Sequence, residues 1–143
     1  MKVQQISVFL ENKSGRLSML TKVLRQEKIN IRALSIADTT DFGILRLIVD
    51  QPDAAYLMLK RSGFTVSHTA VIAVEIPDHP GGLAEILDIL AGAEINIEYC
   101  YALPQKSNDK ALVIFRVERL DEAIRVLLEK GVGVLKEDSV YGI

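Results

Sequence analysis

A chain that repeats its own pattern has to build the same unit twice, and that constraint precedes any residue-level reading. Here the repeat emerges when Gly15 is laid on Gly81, an offset of 66 residues. Ile6 then falls on Ile72, Val8 on Val74, Leu17 on Leu83 and Leu24 on Leu90, while Ile29-Asn30-Ile31 falls on Ile95-Asn96-Ile97. A loop two residues longer in the second copy raises the offset to 68, which brings Asp53, Ala55 and Gly63 onto Asp121, Ala123 and Gly131. Order kept over so many anchors divides the chain into copies spanning 1–68 and 69–143.

Each copy predicts the same elements. Val3–Leu10 and Thr69–Ile76 are rich in β-branched residues and read as first strands. The period then changes: Leu17, Leu20, Val23 and Leu24, like Leu83, Ile86, Leu87 and Leu90, recur at three- and four-residue spacing, so an amphipathic helix follows. Ser14 is placed to cap the first of these helices and Pro80 to open the second. Asn30–Ala37 and Asn96–Leu103 read as second strands, polar loops at Asp38–Asp41 and Pro104–Asp109 turn the chain, and Gly43–Val49 and Ala111–Val117 read as third strands. Second helices open on the acidic Asp53 and Asp121 and stop at Gly63 and Gly131, where glycine relieves a left-handed C-cap. Closing strands are expected near Phe64–His68 and Asp138–Ile143. The unit is βαββαβ, a ferredoxin-like α+β fold with an antiparallel sheet and both helices on one face. No Pro, Gly or charged break interrupts Val66-Ser67-His68-Thr69-Ala70-Val71, so two such units packed side by side are expected, with dimerisation through exposed sheet surface to supplement two small cores.

Composition excludes several function classes. A formal charge of −2 with no clustered Lys/Arg stripe argues against nucleic-acid binding. The apolar runs are too short to span a bilayer and the start lacks a signal-peptide pattern, so the expected location is the cytoplasm. The single cysteine, Cys100, has no internal disulfide partner and lies in an apolar strand, which reads as inert core. His68, His79 and Cys100 are too scattered for a zinc site, and no nucleophile with a base, or pair of poised carboxylates, is recognisable. No cofactor, metal or catalysis is expected. The third strands hold only Phe115 where an RNA-stacking sheet needs several aromatics, and Gly81-Gly82 lacks a phosphate-binding fingerprint.

The second copy reads Pro77-Asp78-His79-Pro80-Gly81-Gly82-Leu83, followed by Glu94-Ile95-Asn96-Ile97-Glu98, and the first reads Glu11-Asn12-Lys13-Ser14-Gly15-Arg16-Leu17 with Lys28-Ile29-Asn30-Ile31. That pairing resembles the ACT domain, the regulatory amino-acid-binding module attached to enzymes such as phosphoglycerate dehydrogenase and aspartate kinase, and the likeness covers essentially the whole chain. It resembles stand-alone tandem ACT proteins. The resemblance implies an effector held at an interface between two ACT units, by the first strand-to-helix turn and the Asn that opens the second strand. Carried over by position, this selects Asn12, Gly15 and Asn30 in the first copy and Asp78, Gly81 and Asn96 in the second. The first copy departs from the pattern in having Ser14 for the usual Pro, and Arg16 after the Gly. A free amino acid, a homodimer partner and a regulated metabolic enzyme are the implied partners.

The residue types suit a zwitterion. Amides at a helix start, around Gly15-Arg16-Leu17 and Gly81-Gly82-Leu83, favour a carboxylate, and glycine lets the backbone come close. Asn12 or Asp78 accepts from an ammonium, Asp78 with the stronger charge-assisted bond. Asn30 and Asn96 offer donor and acceptor together. Arg16 is available to a carboxylate, and His79 beside Asp78 to a ligand or a pH-sensitive contact. Tyr99 and Tyr101 share a strand face, either lining a pocket or buried in a sheet contact. Each also has a purely structural use: a glycine eases a turn, an Asn opens a strand, and an Arg near a helix start is solvated. An adaptor protein that recruits partners by its sheet surfaces and binds no small molecule is therefore the competing reading.

Overall fold

A computed structural model of the chain describes residues 1–38, 41–107 and 109–142. The chain falls into two compact units, one of Gln4–Thr69 and one made up of Ala70–Tyr141 together with Met1–Val3. The elements run β1 (Val3–Glu11), α1 (Arg16–Gln26), β2 (Ile31–Asp38), β3 (Phe42–Val49), α2 (Pro52–Arg61), β4 (Thr65–Pro77), α3 (Gly82–Gly92), β5 (Ile97–Ser107), β6 (Lys110–Val117), α4 (Leu120–Glu129) and α5 (Glu137–Tyr141).

In the first unit β3 lies between β2 and β1, antiparallel to both. Ile6 pairs with Leu47, Val8 with Leu45 and Leu10 with Gly43, and these even-numbered β1 residues point into a core with Leu20 and Leu24 of α1 and Ala55 and Leu59 of α2. Alternation of side chains along a strand explains why one face carries that whole apolar set. Both helices therefore cover one face. The second unit repeats the plan: β6 lies between β4 and β5, and Ile72, Val74, Ile76, Phe115 and Val117 pack against Ile86 and Leu90 of α3 and Ala123 and Leu127 of α4. The two-layer βαββ frame with helices on one face is the fold that the periodicity predicts.

Three local expectations are corrected. The first concerns Ser14, which does not cap α1; Gly15 occupies the N-cap with φ 88°, as Gly81 does for α3 with φ 89°, and neither helix has a side-chain cap bond. A left-handed entry is sterically open to glycine and costly for serine, so the glycine carries the turn in both copies and Pro80 stands just outside the helix.

The second concerns the closing strand expected at Asp138–Ile143, where residues 137–141 instead form α5; Ile143 lies outside the described residues. Glu137 and Asp138 sit in its first turn, where negative charge suits the helix dipole, and Val140 is buried. The strand-like role passes to the preceding residues: the Glu75 N–H donates to the Gly133 carbonyl at 2.8 Å and the Leu135 N–H to the Ala73 carbonyl at 2.9 Å. A Cβ at Gly133 would come within 2.6 Å of the Glu75 carboxylate, so a larger residue there would push that side chain aside.

The third concerns the loop expected at Pro104–Asp109, because β5 runs through to Ser107 and pairs Lys106 with Ala111 beyond a register shift after Leu103. Asn108, like Thr39 and Thr40 of the first copy's loop, lies outside the described residues.

Candidate functional site

The first strand-to-helix turn is built alike in both units. The Lys13 N–H donates to the Glu11 carbonyl at 2.8 Å and the Arg16 N–H to Lys13 at 3.3 Å; the His79 N–H donates to Pro77 and the Gly82 N–H to His79, both at 3.0 Å. These bonds use two of the amides expected to cradle a carboxylate, those of Arg16 and Gly82. The next amides, of Leu17 and Leu83, have no carbonyl four residues back within the helix, as at any helix start. Gly82 is buried with a second, internal reason to be glycine: a Cβ would lie 1.9 Å from the Pro77 carbonyl oxygen.

Beside the first turn opens a cavity of about 220 Å³ lined by Leu10, Glu11, Asn12, Lys13, Leu17, Ile36 and Gly43. Leu17 and Ile36 are exposed and form its apolar rim, so Leu17 stands outside the buried stripe of α1 into which its spacing placed it. Lys13 Nζ sits 3.0 Å from the Glu11 carboxylate, and this hydrogen bond and charge hold the Glu11 carboxyl below its usual pKa. The cavity mouth thus carries a carboxylate and an ammonium beside the Asn12 side chain.

The remaining expected residues are placed differently. Arg16 lays its guanidinium over the Phe64 ring, 4.9 Å from the centroid, and reaches Met19 Sδ at 3.7 Å. Its Nε is buried without a hydrogen-bond partner among the described residues. The His79 ring turns back on its own loop, with Nδ1 2.9 Å from the Pro80 carbonyl. Asp78, Gly81 and Leu83 are exposed at the second turn. Tyr99 and Tyr101 are half-buried on the β5 face opposite Cys100. Cys100 is exposed, which corrects its reading as core, because β5 is the outer strand beside β6 and leaves its helix-side positions uncovered at the rim.

Asn30 and Asn96 lie at the far ends of the helices. The Asn30 N–H donates to Asp50 Oδ1 at 2.9 Å while the Asp50 N–H donates back to the Asn30 carbonyl at 3.1 Å. Asn96 and Glu118 repeat the exchange, both bonds at 3.3 Å. These acids were missed in the sequence although they coincide at the second offset. Asn30 lines a different cavity, of about 320 Å³, with Thr21, Leu24, Arg25, Lys28, Ile29 and Ile31. With 11 residues in α1, the turn and this Asn are separated by roughly 16 Å along the helix. One unit therefore does not bring Asn12 and Asn30 to the same small molecule.

A family model for the ACT domain pair matches residues 1–143. The chain belongs to this family. ACT domains are regulatory modules that bind amino acids, and that general role comes with membership. Among solved structures, a protein of Bacteroides thetaiotaomicron is 45% identical and superposes with a TM-score of 0.94 over 100% of this chain and 98% of its own. The ligand-free regulatory subunit of aspartate kinase from Thermus thermophilus is 17% identical with a TM-score of 0.64, covering 88% of this chain and 91% of that one. Its counterpart from Thermus flavus is 13% identical with a TM-score of 0.60, covering 88% and 90%. These two share the fold of the ACT pair. No curated protein matches the sequence. No helix among the described residues is long and apolar enough to cross a membrane.

Proposed function

We propose that this ACT pair, as domains 1–68 and 69–143, is a non-catalytic amino-acid sensor of the cytoplasm. It acts as a homodimer in which the first turn of one ACT unit and the strand-opening Asn of another hold the ligand. The single observation that carries the reading is the cavity at the first turn, where Asn12 stands beside an apolar rim of Leu17 and Ile36. The helix-length separation of Asn12 from Asn30 supports a site completed by a second copy of the chain, because contacts from both residues then come from different units. In the second copy Asp78, Gly81 and Asn96 take the same parts, with Asp78 accepting from the ammonium and the Leu83 amide facing the carboxylate. Arg16, His79 and Gly82 act on the turn itself, since each has its contacts within its own unit. The regulated partner in this reading is a metabolic enzyme.

A thermal-shift panel of the common amino acids tests the proposal. An amino acid at about 100 times its dissociation constant stabilises the protein by roughly 2.7 kcal/mol. Asn12→Ala and Asn30→Ala weaken binding of the responding amino acid in calorimetric titrations, while no response to any amino acid rejects the sensor. That result would favour the adaptor reading, which has an observation of its own. On the sheet face away from the helices, Phe9, Phe42 and Ile44 are exposed, with the two rings 4.8 Å apart, where the second unit places the Glu75–Lys110 ion pair at 3.4 Å. An apolar surface of this kind suits a protein partner.

A further inference from the structure

On the outer surface of the second unit, between α3 and α4, lies a groove of about 430 Å³ lined by Asp88, Ile89, Gly92, Ala93, Val126 and Lys130. Its volume falls in the range of roughly 300–1,000 Å³ usual for small-ligand sites, and its composition, an apolar floor with few polar groups, fits them as well. The charges have opposite sign and both are exposed. Neither the Asp88 carboxylate nor the Lys130 ammonium makes an ion pair or hydrogen bond with another described residue, so each remains available to a ligand.

Gly92 is the telling residue. It ends α3 without a positive φ, and a Cβ built on it meets nothing within 4 Å. Neither backbone conformation nor packing requires a glycine there, and glycine is a poor helix former. What its missing side chain does is leave the groove open. The first unit, at the repeat offsets, has Gln26 for Gly92, Glu27 for Ala93 and Met58 for Val126, with Lys22 and Ser62 in place of the two charges. The small residues and the charge pair thus go together in one unit and are both missing from the other.

We infer that this groove is a second ligand site, separate from the first turns, for a free α-amino acid with an apolar side chain. The side chain lies on Ile89, Ala93 and Val126, the ammonium faces Asp88 and the carboxylate faces Lys130. A zwitterion complements the two charges in a way that a neutral apolar molecule or a simple anion does not.

Two-dimensional amide NMR of the full chain, titrated with leucine and with phenylalanine, tests this directly. Saturable shifts at the amides of Ile89, Gly92, Ala93 and Val126 are expected, with weaker binding for N-acetyl-leucine and for leucinamide, each of which lacks one charge. Gly92→Gln installs the first unit's residue where space is open and removes the shifts. Asp88→Asn and Lys130→Gln each weaken binding by about two- to fivefold, the scale of an exposed ion pair. No saturable shift at these amides with either amino acid, or shifts that persist unchanged in Gly92→Gln, overturns the inference. Shifts at the amides of residues 12–17 and 78–83 report on the proposed turn sites separately, so either reading can fail without the other.

Discussion

Replacing Gly82 with alanine is the sharpest test of the turn that enters α3. The added Cβ would sit 1.9 Å from the Pro77 carbonyl oxygen and 3.0 Å from its carbon, both backbone atoms that no rotamer change can move aside. Bringing that contact to a tolerable distance requires the turn to open by roughly 1 Å, an overpacking of the kind that costs about 1–3 kcal/mol. The same carbonyl accepts the His79 N–H at 3.0 Å, and disturbing that bond adds about 1 kcal/mol. Alanine recovers up to about 1 kcal/mol in helix propensity. The net expectation is a loss of about 1–3 kcal/mol, and with a urea dependence of roughly 2 kcal/mol per molar the unfolding midpoint falls by about 0.5–1.5 M. Urea titration followed by circular dichroism measures it, with Gly92→Ala on the same helix as the control, neutral or slightly stabilising because its Cβ meets nothing. The first unit sets the refuting outcome, since Arg16 stands at the equivalent position with a Cβ of its own. A midpoint unchanged within about 0.25 M would mean that the Pro77–Gly81 turn relaxes readily toward the geometry of Glu11–Gly15, and the steric argument would be lost.

Two further outcomes are expected. Asp50→Ala removes the carboxylate that accepts the Asn30 N–H and lowers stability by about 1 kcal/mol in the same titration, whereas an unchanged midpoint would show that water replaces it without loss. The Cys100 thiol, although on an exposed position of β5, is partly desolvated, which pushes its pKa up. Its contribution to stability is full below the unfolded thiol's pKa and is lost as pH rises through the higher folded value. Its reaction with a disulfide reagent near pH 8 is accordingly slower in the folded chain than in urea, and equal rates would contradict the shift.

Much of this fold was legible because its signals are periodic and occur twice. The three-to-four spacing of Leu20 and Leu24, or Ile86 and Leu90, specifies the buried helix faces, and alternation in β1 and β4 specifies the sheet faces. What escaped was set by single contacts. Val134 looks no more strand-like than its neighbours, and only the backbone bonds of Gly133 and Leu135 to Glu75 and Ala73 show that the chain closes there and not at Asp138. Lys28 and Glu94 end α1 and α3 in the left-handed region with φ 56° and 57°, where a sequence reading looks for glycine. The candidate site was legible as residue types and not as geometry: Asn12 and Asn30 both qualified as polar ligands, but only the intervening helix shows that they line different cavities.

That separation has a thermodynamic consequence for the proposed sensor. If the turn comes from one copy and the Asn from another, the amino acid binds the assembled state better than the separate one. Linkage then requires assembly and ligand affinity to strengthen each other by the same factor. The apparent dissociation constant should therefore fall as protein concentration is raised through the dimerisation range, and sedimentation should show tighter self-association with the amino acid present. A coupling of about 1.4 kcal/mol makes the two effects tenfold each. Asn30→Ala weakens that coupling more than it weakens the free dimer, since the Asn30 side chain is exposed and its fold-supporting bond is made by its backbone. An affinity independent of protein concentration across the range where the proposed dimer forms would place the ligand wholly within one copy of the chain, and the site shared between copies would have to be abandoned.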